Sequence, residues 1–473
     1  MLNLFRKRRD PQVLVIGLDC AGPQLVFDQW RDELPNLRHL MDHGVYGELT
    51  SCTPAITVPA WSSMLTSKDP GTLGIYGFRN RADYTYDKLS IATGAAVREP
   101  RVWDILGAAG KRVIVQGVPQ TYPVRPVNGC LVSCFLTPSV SNQYTYPAEL
   151  RYEIDQALNG EPYEFDVKDF RTENKDWLLT QIYATSDKQF TVMRYLLDNK
   201  PWDFAMLVDI GVDRIHHGMW KFHDPTHPKH EPGNRYQNAI RDYYQHIDRQ
   251  IGTLLERVPD DTLVVTVSDH GVKAMQGGLC VNEWLRREGL LVLAEEPSGE
   301  GLLPFSKAQV DWSRTRVWGE GGYYARIFMN VRGREPQGLI PADEYEATRD
   351  DLAARIEAIP GPNGAPLGTR VFKPEAIYHQ VNGIAPDLIV YWGDLAWRSV
   401  GSLGHGTIYT FENDTGPDDA NHAQNGLFIL SGGQIKHKGQ RVATRQLMDI
   451  APTILAAYGI PAPADYQGTA IDG

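Results

Sequence analysis

Short apolar runs alternate with amphipathic stretches along most of this chain. Val13–Leu18 (Val-Leu-Val-Ile-Gly-Leu) is almost continuously apolar, the pattern of a strand buried on both faces. A helical spacing follows over 34–43, with Gly44 placed to end it. Further apolar runs at 113–117, 131–135, 204–208, Leu263–Val267 and 427–430 predict strands. Residues 177–197, 236–258 and 448–458 repeat apolar side chains every three or four positions and predict helices. Such alternation predicts an α/β fold, a mostly parallel sheet with helices on both faces. The rhythm breaks over 295–402, which is richer in Gly and Pro, with a strand-like 323–329 and a helix at 343–359. The expected organisation is a core of 1–294 and 403–473 with 295–402 inserted as a lid.

Composition narrows the function classes. The 473 residues suffice for one large domain with insertions or for two to three domains, and either buries a sizeable core. With 47 basic against 58 acidic residues the formal charge is −11, and no nucleic-acid surface is evident, because such binding needs clustered Lys and Arg. The five cysteines (Cys20, Cys52, Cys130, Cys134, Cys280) lack paired zinc-type spacing and read as free thiols in a reducing compartment. The opening Met-Leu-Asn-Leu-Phe-Arg-Lys-Arg-Arg is positive like the start of a signal peptide. The apolar run behind it ends at Asp19, too short for a signal core or a membrane span. A soluble, cytoplasmic protein is expected, with its oligomeric state open.

Candidate chemistry sits where acidic and histidine residues follow apolar runs. Asp19 ends the first strand, and a strand-terminal Asp by itself is commonly a loop cap. Asp269 and His270 end the run Leu263–Val267 after Ser268, so both can face the crevice at the carboxyl ends of a parallel sheet, where α/β proteins bind ligands. Asp213 and His217 are four apart, so a helical turn puts both on one face within reach of one cation. His422 lies in a polar stretch, Asn-His-Ala-Gln-Asn-Gly, before the run at 427–430. In Thr53-Pro-Ala-Ile-Thr57-Val-Pro59-Ala-Trp61, Pro59 suits the first turn of a helix reaching Leu65. Thr57 would then stand just before that helix, either as a plain N-cap or facing a phosphoryl oxygen at the positive helix end.

Taken in order, these pieces resemble the alkaline phosphatase superfamily, and most closely its type I phosphodiesterase/nucleotide pyrophosphatase branch. The resemblance covers most of the core and includes Leu34-Pro-Asn-Leu37, Thr66-Ser-Lys-Asp-Pro70, Gly74-Ile75 and His422-x-x-x-Gly426. It implies an alkaline-phosphatase-like core and two divalent metal ions, Zn2+ before Mn2+ given mixed nitrogen and oxygen ligands. Asp213, His217 and His422 would hold one ion. Asp19, Asp269 and His270 would hold the other, with Thr57 beside it as nucleophile and ligand. The implied activity is hydrolysis of a phosphodiester or pyrophosphate bond through a covalent phosphothreonine. The substrate would be a small phosphorylated molecule: a nucleotide, a nucleotide sugar or another diester.

The chain departs from the branch in places. Leu73 precedes Gly74-Ile75 where a His is common, and the branch's phosphate-holding Asn falls at or near Phe78. Arg79 and Asn80 are the candidate replacements, and His405 is a candidate substrate contact. His216 competes with His217, and His223, His227 and His230 read as a solvated loop. The aromatic residues Trp318, Tyr323, Tyr324, Trp392 and Trp397 read as core, with stacking on a substrate as the alternative. Cys52-Thr-Pro-Ala imitates a sulfatase motif, but Ile56 stands where that motif needs Arg. A phosphomonoesterase, a phosphotransferase of the same superfamily and a catalytically silent metal-binding protein are the other readings.

Overall fold

The computed structural model describes residues 11–296, 301–433 and 435–472. The basic N-terminal stretch and residues 297–300 of the expected lid lie outside them. At the centre Val13–Leu18 pairs in parallel with Phe204–Asp209 on one side and Leu263–Val267 on the other. Val113–Gln116 and then Gly129–Val132 extend the parallel run beyond Phe204–Asp209. On the opposite flank Asn425–Ser431 runs antiparallel to both Leu263–Val267 and Gly44–Thr50. The sheet is therefore mixed, with a parallel centre, one antiparallel strand let in beside it and another, Thr145–Tyr146, paired with Gly129–Val132 at the far edge. Its central strands are buried along their whole length, which is why they read as unbroken apolar runs.

Two apolar cores, one per face, match the two-sided covering. One holds Leu14 and Ile16 with the helices Lys175–Asn199, Gly211–His223 and Ala239–Leu255. The other holds Val13 and Val15 with the helices Thr57–Thr66 and Ile450–Ala457. Alternate residues of one strand thus feed opposite cores. Gly17 is required where the second core meets the sheet: a Cβ there would lie 2.6 Å from Trp61 Cη2 and 2.8 Å from Val208 Cγ2.

The region expected as a lid contains an antiparallel sheet of Val317–Glu320, Ala325–Met329, Leu388–Tyr391 and Arg370–Phe372. The helix Tyr345–Glu357 accompanies it, and the whole has its own apolar core. That core already includes Leu279 and Leu285, ahead of residue 295. A short ribbon pairs Gly271–Ala274 with Ala420–Ala423 and sets Val272 opposite His422. A Cβ on Gly271 would run into the Asn425 carbonyl oxygen, so the Asp-His-Gly sequence needs its glycine for this close approach. Among the described residues no helix is long and apolar enough to cross a membrane. All five cysteines are unpaired and buried.

Candidate active site

Three neighbouring strands end at one level, since Leu18 stands opposite Asp209 and Gly17 opposite Val267. Asp19 therefore leaves the sheet beside Asp269 and His270. Next to them Asp209 turns the chain into the helix Gly211–His223, its carboxylate accepting from Val212 N at 3.2 Å and from Ser186 Oγ at 2.6 Å. One turn of that helix aligns Asp213 with His217, Nε2 to Oδ1 at 3.2 Å. The ribbon brings in His422, whose Nε2 is 3.7 Å from the same Asp213 oxygen. The His270 and His422 rings stack with centroids 3.8 Å apart.

The candidate ligand atoms fall into the two sets implied by the resemblance: Asp213 with His217 and His422, and Asp19 with Asp269 and His270, each set within 4.8 Å. All six residues are buried. Asp269 Oδ2 and His422 Nε2 make no hydrogen bond within the protein, and Asp213 Oδ1 and His217 Nε2 meet only one another as an ion pair. Buried polar atoms without partners are costly. Here the orphaned atoms are acidic oxygens and imidazole nitrogens converging on shared points, so the residues fit divalent cations.

Charge argues the same way. Burial, then the neighbouring carboxylates, pushes Asp19 well above the usual carboxylate range, and burial does the same to Asp269. A bound dication would remove both penalties. Burial holds His270 down at about 4 and lowers His422 as well, so both imidazoles are neutral and free to ligate at pH 7. His217 differs. Burial lowers it, but Asp418 and Asp213 together outweigh that and raise it to about 9.

Thr57 is the first residue of its helix, one past the N-cap Ile56. Its Oγ1 lies 3.5 Å from Asp19 Oδ1 and 3.5 Å from His270 Nε2. The plain N-cap alternative therefore fails. Trp61, one turn further along, donates Nε1–H to Asp19 Oδ2 at 2.7 Å and fixes that carboxylate.

Sequence reasoning missed the shell behind these residues. Asp418 accepts from His217 Nδ1 at 2.7 Å and orients the ring, the usual arrangement behind a metal-binding imidazole. Arg171 and Arg398 hold Asp418 in turn, at 3.0 and 3.3 Å. Tyr323 packs against the apolar cluster of Tyr324, Ile389 and Tyr391, as expected, and also reaches the site, stacking on His217 at 4.9 Å and donating to Asp418 at 3.3 Å. Arg214 pairs with Asp213 and, at 2.7 Å, with Asp166. The only sequence signals were an Asp four residues before His422 and an Arg after Asp213, both too common to single out.

Other expected residues are placed elsewhere. Asn80 spends both ends of its amide on its own loop, accepting from Tyr76 N and donating to Gly77 O, and Arg79 is exposed beside it. His405 bonds Ser402 Oγ at 2.9 Å. Phe78 packs on Phe135 in a small apolar cluster with Val58. His216 points at Tyr244 OH, 3.2 Å away, which leaves His217 as the residue of the cluster. The solvated-loop expectation fails at His223, which ends the helix Gly211–His223 and packs on Trp30, and at His227, which is buried and accepts from Lys229 N at 3.0 Å. Trp318, Tyr324 and Trp392 are core, as expected.

A hydroxyl-bearing helix tip set against acid–histidine clusters at the strand ends marks an α/β phosphohydrolase. The type I phosphodiesterase/nucleotide pyrophosphatase family model matches residues 13–418, and the chain belongs to that family. Human ectonucleotide pyrophosphatase/phosphodiesterase 5 shares the fold with a TM-score of 0.55 at 14% identity, over 96% of each chain. The murine protein of the same name gives 0.53 at 13%, again over 96% of each. An inactive variant of that murine protein in complex with AMP gives 0.51 at 12%, with the same coverage. No curated protein sequence matches the chain.

Proposed function

We propose that this phosphohydrolase is a two-metal enzyme that cleaves a phosphodiester or pyrophosphate bond in a nucleotide-like substrate by way of a phosphothreonine at Thr57. The observation that carries this reading is Thr57 Oγ1, uncapped and 3.5 Å from one member each of the Asp19 and His270 pair. Asp213, His217 and His422 are proposed to hold one ion, and Asp19, Asp269 and His270, with Thr57, the other. Zn2+ is the first choice for such nitrogen and oxygen donors and Mn2+ the second. Bound ions would supply Lewis acidity to the threonine hydroxyl and to the phosphoryl oxygens.

The protein's own groups do the remainder. Trp61 fixes Asp19, and Asp418 fixes the His217 ring. The helix Thr57–Thr66 presents its free N–H groups toward a phosphoryl oxygen. Thr57 Oγ bonds to phosphorus as the bond to the leaving oxygen breaks, and water then cleaves the phosphothreonine. AMP in the related murine structure supports a nucleotide as the substrate class. The five unpaired thiols support a reducing, cytoplasmic setting. Two successive displacements retain configuration at phosphorus. A chiral thiophosphate diester should therefore return a product of retained configuration, and inversion would remove the covalent step. A panel of diesters, monoesters, dinucleotides and nucleotide sugars should show diesters or pyrophosphates turned over fastest.

A further inference from the structure

Cys20 follows Asp19 directly and lies in the middle of the acid–histidine cluster. Its φ is +66°, the left-handed region, which is unfavourable for a residue with a Cβ. Such backbones persist where the surrounding structure enforces them, often at functional sites. The Cys20 N–H donates to Asp269 Oδ1 at 3.1 Å and ties the loop to one metal set. The thiol meets Gly271 O at 3.4 Å and the Asp213 carboxylate, so its sulfur faces an acidic member of the cluster. Ligand atoms of Cys20, His270 and His422 all lie within 4.8 Å of one another. One of those histidines belongs to each of the two acid–histidine sets, and His422 Nε2, 1% exposed as a residue, has no hydrogen-bond partner.

We propose that Cys20 is a metal ligand of this centre, its sulfur at the seam between the two sets, beside His270 of one and His422 of the other. This rests on the two-metal reading. Binding needs no oxidant: the thiol proton passes to solvent as the sulfur lone pair is donated to the ion. A thiolate is a soft donor, so its presence tilts the centre toward zinc and away from manganese or magnesium. Cys52 is the natural control, because its thiol bonds Pro54 O at 3.3 Å and it joins none of the ligand groups among the described residues.

The test is optical and does not depend on turnover. The full-length protein, stripped of metal and reloaded with Co2+, should show a near-ultraviolet thiolate-to-cobalt charge-transfer band. The band should survive in Cys52→Ser and vanish in Cys20→Ser. If Cys20→Ser does not fold, Cys20→Gly suits the positive φ and serves in its place. Zinc-over-manganese preference in competition dialysis should fall at least about tenfold in either variant, since residues one shell further out already cost that much. A cobalt-loaded wild type without the band, or a band that persists without Cys20, overturns the proposal. If that bandless protein holds two cobalt ions and cleaves diesters, the two-metal reading survives without Cys20. If the stripped protein takes up no cobalt, both fall.

Discussion

A threonine that caps a helix accepts a backbone N–H on its hydroxyl oxygen, whereas Thr57 stands one residue past the N-cap with its hydroxyl on Asp19 and His270. Thr57→Ala should thus cost little helix stability yet lose turnover on the order of a thousandfold or more, with both metal ions retained. Thr57→Ser keeps the hydroxyl and should keep measurable activity. Wild-type rates in metal-loaded Thr57→Ala would return the residue to a structural role. Asp418 tests the supporting shell. His217, Arg171 and Arg398 outweigh its burial and hold it well below the ordinary carboxylate range, so it is a fixed negative charge behind the imidazole. Asp418→Asn should lower metal affinity about 10–100-fold, read by metal content after dialysis against a weak chelator. Undiminished affinity would mean that Asp213 alone orients His217. Asp19, Asp213, Asp269 and the two flanking histidines were legible because each follows a strand or shares a helical turn. Asp418, Tyr323 and Trp61 were not, because their role exists only after distant segments meet.

At the scale of elements, the strands buried on both faces were legible and the small paired ribbons were not. Val13–Leu18 and Leu263–Val267 carry unbroken apolar runs because both faces meet a core. Ala420–Ala423 reads as a polar loop, Ala-Asn-His-Ala, because its side chains serve the site and its backbone is satisfied by Gly271–Ala274. Gly44–Thr50 was read only as a helix stop at Gly44; its strand character lies in pairing with Asn425–Ser431, which is remote in sequence. The helix expected at 343–359 was found as Tyr345–Glu357, while the strand expected at 131–135 shifted to Gly129–Val132, set by its register with Val113–Gln116. Gly17 shows how a strand and a helix are fitted to one another. Gly17→Ala places a methyl against Trp61 and Val208, and overpacking of this kind costs typically about 1–3 kcal/mol. The denaturation midpoint should fall accordingly, and zinc should bind more weakly because Trp61 is pushed off Asp19. A midpoint equal to wild type would show that the helix moves aside freely.

Across the whole molecule, the site lies where the central sheet, its flanking helix, the ribbon and the second sheet converge, so a bound metal ion would couple all of them. Ions that bind only the folded protein add about 2.7 kcal/mol each at a hundredfold excess over Kd. Chelation should accordingly lower the thermal midpoint, and zinc should restore it. The pH dependence follows from His217. In the metal-free protein its value is raised from 6.5 to about 9. The charged ring thus stabilises the metal-free fold fully below pH 6.5, and this contribution fades as pH rises through about 9. Metal requires the neutral ring, so binding near pH 7 must expel that proton. Both effects act in one direction: the midpoint gained on adding zinc should be small near pH 6 and grow steadily toward pH 9. His270 and His422, already neutral at pH 7, add no slope there. Calorimetry in two buffers of different ionisation heat should record at least one proton released per protein at pH 7 as zinc binds. Zinc uptake with no proton released, and a stabilisation flat from pH 6 to 9, would remove His217 from the metal centre.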